Sequence, residues 1–142
     1  MDEEVKREII LDNYSNPFNR EVVTDDKYIK VNTNNESCID NIDLYILIEN
    51  DIIKDIKFSG EACAISTSAT SIMIKSLINK TITEVKEFYD NFDKMVNNNE
   101  YNQELLEENN VYNEIYKQAN RKNCALLPWK AIMKGIMIYE KH

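Results

Sequence analysis

At 142 residues with 43% hydrophobic side chains, the chain is sized for one domain with a real core. Its formal net charge of -8 sets it against a surface built to neutralise nucleic-acid phosphates, and its two glycines leave no room for a glycine-rich phosphate loop. No apolar run approaches the ~18 residues of a membrane span, and the charged opening MDEEVKREIILDNY lacks an apolar signal core. The expectation is a soluble cytoplasmic protein with no nucleic-acid or membrane partner.

Val5, Ile9, Ile10 and Tyr14 fall on one stripe of a helix over residues 3–14, which Asn16-Pro17 ends. A short strand around Tyr28 to Val31 follows. Residues 42–49 then alternate, with Ile42, Leu44, Ile46 and Ile48 on one face. Asn50-Asp51 suits a tight turn into a partner strand from Ile53 to Ser59. From Ala64 the period changes, and Ile65, Ile72, Met73, Leu77 and Ile78 predict a helix to about residue 79. Thr81 with Glu84 forms a capping box that opens a second helix through Val96.

Residues 97–123 are polar, and their asparagines read as loop filler around a short helix containing Val111, Tyr112, Ile115 and Tyr116, with Tyr112 and Tyr116 as packing residues. The last helix carries Trp129, Ile132, Met133, Ile136 and Met137 on one face. Strands grouped together before a run of helices predict an α+β domain: a three-stranded antiparallel sheet with helices packed on one face.

Three cysteines cannot close a disulfide framework, so metal binding, a reactive thiol and core packing all stand open. Cys38 and Asp40 are two residues apart, so in an extended segment both side chains project to the same side. Cys63 lies between a strand and a helix. Cys124 is read as preceding the last helix, which Pro128 would require to begin near it. Helix N-termini and the nearby Arg121 and Lys122 favour thiolates. Three thiolates and a carboxylate suit tetrahedral zinc, although single cysteines at this spacing match no generic zinc motif.

Four segments then carry a resemblance. IILDNYSNPFN, NNESCID, FSGEACAISTSATSIM and RKNCALLPWKAI occur in order. They resemble the motifs of the IscU/NifU-N family of iron–sulfur cluster assembly proteins, along nearly the whole chain. Scaffold-type members carry His before the third cysteine, where Asn123 stands here, and a Leu-Pro-Pro-Val-Lys motif that is absent. Residues 97–120 look like the insertion of the SufU type. The only histidine, His142, is terminal and has no assigned role.

The resemblance implies a SufE/NifU-like fold in a single domain over residues 1–142, and a zinc-dependent sulfurtransferase. Its zinc ligands would be Cys38, Asp40, Cys63 and Cys124, with Cys38 also the persulfide acceptor and Arg121 in a supporting electrostatic role. It further implies a cysteine desulfurase of the SufS type as sulfur donor, a downstream iron–sulfur scaffold as recipient, and a monomer. On docking, a desulfurase residue would take a metal position and free Cys38. Two alternatives stay open: a scaffold holding iron or a [2Fe–2S] cluster on the same ligands, and a non-catalytic zinc module that binds the desulfurase. The family's Gly between Cys and Asp is Ile39 here, a substitution that bears most on whether Asp40 reaches the metal.

Overall fold

A 13-residue helix, α1 (Glu3–Ser15), opens the chain, capped by the Asp2 carboxylate accepting from the Val5 amide at 2.9 Å. Strands β1 (Ile29–Asn34), β2 (Asn41–Glu49) and β3 (Ile52–Glu61) follow, then helices α2 (Ala64–Leu77), α3 (Ile82–Val96), the short α4 (Gln103–Leu106) and α5 (Ala119–Glu140). Two 3-10 segments, Glu107–Tyr112 and Ile115–Lys117, bridge α4 to α5. This computed structural model describes residues 1–35 and 39–142, so Cys38 lies outside the described residues.

The strands form one antiparallel sheet in the order β1-β2-β3. The expected turn at Asn50-Asp51 is present, with φ of 54° and 62°. Two successive left-handed residues match the twist of a hairpin. A register shift between Leu47 and Ile48 breaks strict alternation in β3, which is why Ile53 and Ile56, three apart, are both buried.

Ile42, Leu44, Ile46 and Ile48 are buried in the core as expected, with α5 packed on β2 and α2 on β3. Helix α1 packs on α2 rather than on the sheet, and α3 packs against α5. Trp129 stacks on Phe92 with centroids 4.7 Å apart, and Tyr112 meets Phe92 edge-on at 6.2 Å. These contacts bury the aromatic faces of three helical segments together, each side chain contributing on the order of 1.5–3 kcal/mol by burial.

Both glycines mark close approaches. A Cβ at Gly135 would lie 2.3 Å from Ile46 Cδ1, so the absent side chain lets α5 sit down on β2. Gly60 has φ +114°, and a Cβ there would lie 2.2 Å from the Asn41 carbonyl oxygen. Elsewhere asparagine does glycine's work: Asn19, Asn50, Asn79 and Asn98 all have positive φ. The Thr81–Glu84 capping box is formed, with both reciprocal hydrogen bonds.

Two expectations are corrected. Helix α5 begins at Ala119, so Cys124 lies within it rather than before it, and Pro128 sits in the helix interior. The segment after α3 is not filler. Asn109 and Asn110 are buried and bind the backbone and Ser76, while Leu106, Val111 and Tyr112 join the core. No helix among the described residues is long and apolar enough to cross a membrane.

Candidate metal centre

The antiparallel pairing of β2 with β3 builds the first half of the site. Asn41 pairs with Glu61, which brings Asp40, just before β2, beside the Ala62-Cys63 exit from β3. Gly60 lets the two backbones close at this end. The Cys63 amide donates to Asp40 Oδ1 at 2.6 Å, and Cys63 Sγ lies 3.6 Å from Asp40 Oδ2. Cys63 is also the N-cap of α2, its sulfur accepting from the Ser66 amide at 3.4 Å. A thiolate at this position gains from the positive end of the helix dipole.

Helix α5 supplies the other half. Cys124 is buried, and its sulfur lies 3.8 Å from the Asn35 side-chain amide at the end of β1. Thr33 of β1 donates to the Leu127 carbonyl at 3.4 Å, which fixes α5 against the strand. Ser66 ties both halves together: its hydroxyl lies 2.6 Å from Asp40 Oδ2 and 3.0 Å from the Cys124 carbonyl oxygen.

One ligand atom each from Asp40, Cys63 and Cys124 falls within 4.8 Å of the others. Ligands on zinc–sulfur bonds of about 2.3 Å and zinc–oxygen bonds of about 2.1 Å stand roughly 3.5–4 Å apart in a tetrahedron. Small side-chain rotations therefore bring these three onto one ion, and their two sulfurs and one carboxylate are a donor set for a borderline-soft cation. Asp40 is 1% exposed while its neighbour Ile39 is 75% exposed. The substitution at position 39 thus points outward and does not keep Asp40 from the two thiols.

Burial pushes the Cys124 thiol well above the ordinary thiol range, and the adjacent Cys63 and Asp40 push it further. In that setting the Cys124 thiol holds its proton unless a cation joins it.

A cleft of about 760 Å³ between α1, the 3-10 segments and the start of α5 opens onto Cys63 and Cys124. Lys6, Arg7, Lys117 and Arg121 line it together with Glu3 and Glu114, an excess of cations on an acidic protein. Lys6 and Lys117 pair with Glu114, whereas Arg7 and Arg121 pair with no acid among the described residues.

Of the residues singled out from sequence, Asp40, Cys63 and Cys124 come together and Arg121 stands at the mouth of their cleft. Ser66 was not singled out. Its position one helical turn after Cys63 was the available signal.

The NifU-like N-terminal domain model matches residues 5–142. The chain is 35% identical over 131 residues to the zinc-dependent sulfurtransferase SufU of Bacillus subtilis, covering 92% of this chain and 88% of that one. It is 29% identical over 129 residues to the iron–sulfur cluster assembly scaffold protein IscU of Thermotoga maritima, covering 91% and 90%. Among solved structures it is similar to one from Fervidobacterium islandicum, described as a scaffold for iron–sulfur cluster assembly in the SUF system. That likeness has a TM-score of 0.83 and 31% identity over 90% of this chain and 93% of that one. A NifU-like N-terminal structure from Brucella abortus, with TM-score 0.85 and 17% identity over 94% and 92%, shares the fold.

Proposed function

The chain belongs to the family of NifU-like N-terminal domains, and from that footing we propose that it is a zinc-dependent sulfurtransferase serving iron–sulfur cluster assembly. The observation that carries the proposal is the convergence of Asp40, Cys63 and Cys124 on one point, in a chain 35% identical to a zinc-dependent sulfurtransferase. Cys38, two residues before Asp40 in sequence, completes the ligand set and accepts the sulfur.

Bound zinc would hold the thiols as thiolates at neutral pH without taking part in electron transfer. The remaining chemistry belongs to side chains. The Cys38 thiolate attacks the outer sulfur of a persulfide on a cysteine desulfurase. A sulfur–sulfur bond to Cys38 forms as the bond to the desulfurase cysteine breaks, and that cysteine leaves as a thiolate. No net oxidation occurs, since a persulfide is exchanged for a persulfide. Arg7 and Arg121 at the cleft mouth favour the approach of an anionic persulfide.

Asn123 also supports this reading, because it replaces the His that scaffold-type members carry beside the third cysteine. The test is desulfurase turnover, measured as alanine released from cysteine under reductant. Zinc-loaded protein should stimulate turnover strongly and a Cys38→Ala variant should not; no stimulation by either would overturn the proposal.

A second reading rests on the similarity to IscU of Thermotoga maritima. Two thiols and a carboxylate already assembled, with Cys38, are also a donor set for a [2Fe–2S] cluster. Anaerobic reconstitution giving a stable cluster that transfers to an apo-acceptor would favour that reading.

A further inference from the structure

Ser66 is fully buried beside the candidate metal centre, and its hydroxyl faces two acceptors with one proton. One acceptor is Asp40 Oδ2 at 2.6 Å. The other, the Cys124 carbonyl oxygen at 3.0 Å, is available only because of sequence four residues downstream. In an uninterrupted helix that carbonyl would accept from the amide of residue 128, but Pro128 has no amide hydrogen. Pro128 therefore frees a carbonyl on a ligand residue, and Ser66 is the side chain that meets it.

We propose that Ser66 is a positioning residue: its hydroxyl holds the Asp40 carboxylate turned into the ligand set, with the Cys124 carbonyl as an alternative resting place for the same proton. Asp40 is then oriented at both oxygens, Oδ1 by the Cys63 amide and Oδ2 by Ser66. Hydrogen bonds of this kind fix ligand orientation, and losing one typically costs roughly 10- to 100-fold in metal affinity. The inference rests on the zinc reading for its metal arm only.

A structural role for Ser66 would be limited to satisfying the Cys124 carbonyl, and Pro128→Ala separates the two roles. The alanine restores a helical amide donor to that carbonyl, so Ser66→Ala with Pro128→Ala removes the hydroxyl without orphaning the carbonyl. Two quantities are read for the unsubstituted chain, both single variants and the double variant: zinc affinity by chelator competition, and exchange of the Cys63 amide hydrogen in metal-free protein. Ser66→Ala and the double variant should both bind zinc roughly 10- to 100-fold more weakly and exchange the Cys63 amide faster. Recovery of both quantities in the double variant, or no change in Ser66→Ala, overturns the proposal. If Ser66→Ala alone does not fold, the double variant gives the same reading. Faster Cys63 exchange in a chain whose unsubstituted form binds no zinc would overturn the zinc reading and uphold the positioning of Asp40.

Discussion

The Cys63 amide donates to Asp40 Oδ1 at 2.6 Å, so one carboxylate serves both as a candidate metal ligand and as the acceptor at the turn into α2. The two roles separate by substitution. Asp40→Ala removes the acceptor and leaves an amide without its partner, which costs about 1–3 kcal/mol. Asp40→Asn keeps an acceptor oxygen but discards the charge. In urea unfolding of metal-free protein, Asp40→Ala should be destabilised by that amount and Asp40→Asn by much less. Both should bind zinc more weakly than the unsubstituted chain. Equal unfolding midpoints for all three would show that the hydrogen bond contributes nothing to the turn.

The raised pKa of Cys124 gives a pH dependence with a definite sign. Burial and the neighbouring Cys63 and Asp40 keep this thiol protonated in the metal-free fold, whereas in the unfolded chain it ionises in the ordinary range near ~8.5. The stability it contributes is fully present below that range and is lost as pH rises through it toward the raised folded value. Zinc must displace this proton, so binding releases protons and apparent affinity rises with pH between about 6 and 8. Chelator competition across that window should show the rise. A flat profile would mean the thiols are already ionised without metal.

The sheet was legible because Ile42, Leu44, Ile46 and Ile48 recur at every second position, and α3 because its capping box is spelled in Thr81 and Glu84. Cys63 was placed correctly at a helix start by the change of period after Gly60. Cys124 was misplaced for a physical reason. The first turns of α5 are polar, and Pro128 ordinarily marks a helix beginning. Here the helix runs through the proline, and the Cys124 carbonyl left without an amide partner faces the Ser66 hydroxyl, 62 residues from Pro128 in sequence (128 − 66). A contact between α2 and α5 cannot be read from either segment alone. Asn109 and Asn110 were misread likewise, since a buried asparagine and a loop asparagine look the same until their partners are known.

Gly60 and Gly135 should respond differently to alanine. At Gly60 the new Cβ meets the Asn41 backbone at 2.2 Å in a left-handed conformation, and nothing flexible can yield. The β2–β3 end should open, carrying Asp40 away from Cys63, at a cost of roughly 1–3 kcal/mol together with a loss of zinc affinity. At Gly135 the obstacle is the tip of the Ile46 side chain, 2.3 Å away, which can change rotamer. Gly135→Ala should cost about 1–3 kcal/mol as overpacking and leave zinc affinity nearly unchanged. Thermal unfolding and chelator competition on both variants distinguish damage to the site from damage to the core.

Arg121 is exposed at the mouth of the cleft, and among the described residues it pairs with no acid. It lines, on a protein of net charge -8, the same cleft as the two thiols. Arg121→Ala should alter stability by no more than about 0.5 kcal/mol, as exposed substitutions usually do, and should leave zinc bound. What should fall is the rate at which sulfur is accepted, by up to about tenfold at low ionic strength, because an anionic persulfide loses its local attraction. Raising the salt concentration should narrow the gap between variant and unsubstituted protein, since exposed charges are screened over about 8 Å at physiological ionic strength. Arg121→Lys keeps the charge and should retain most of the rate. Equal desulfurase stimulation by all three proteins at low salt would reduce Arg121 to a solvated cation, and would shift attention to Arg7, which lines the same cleft.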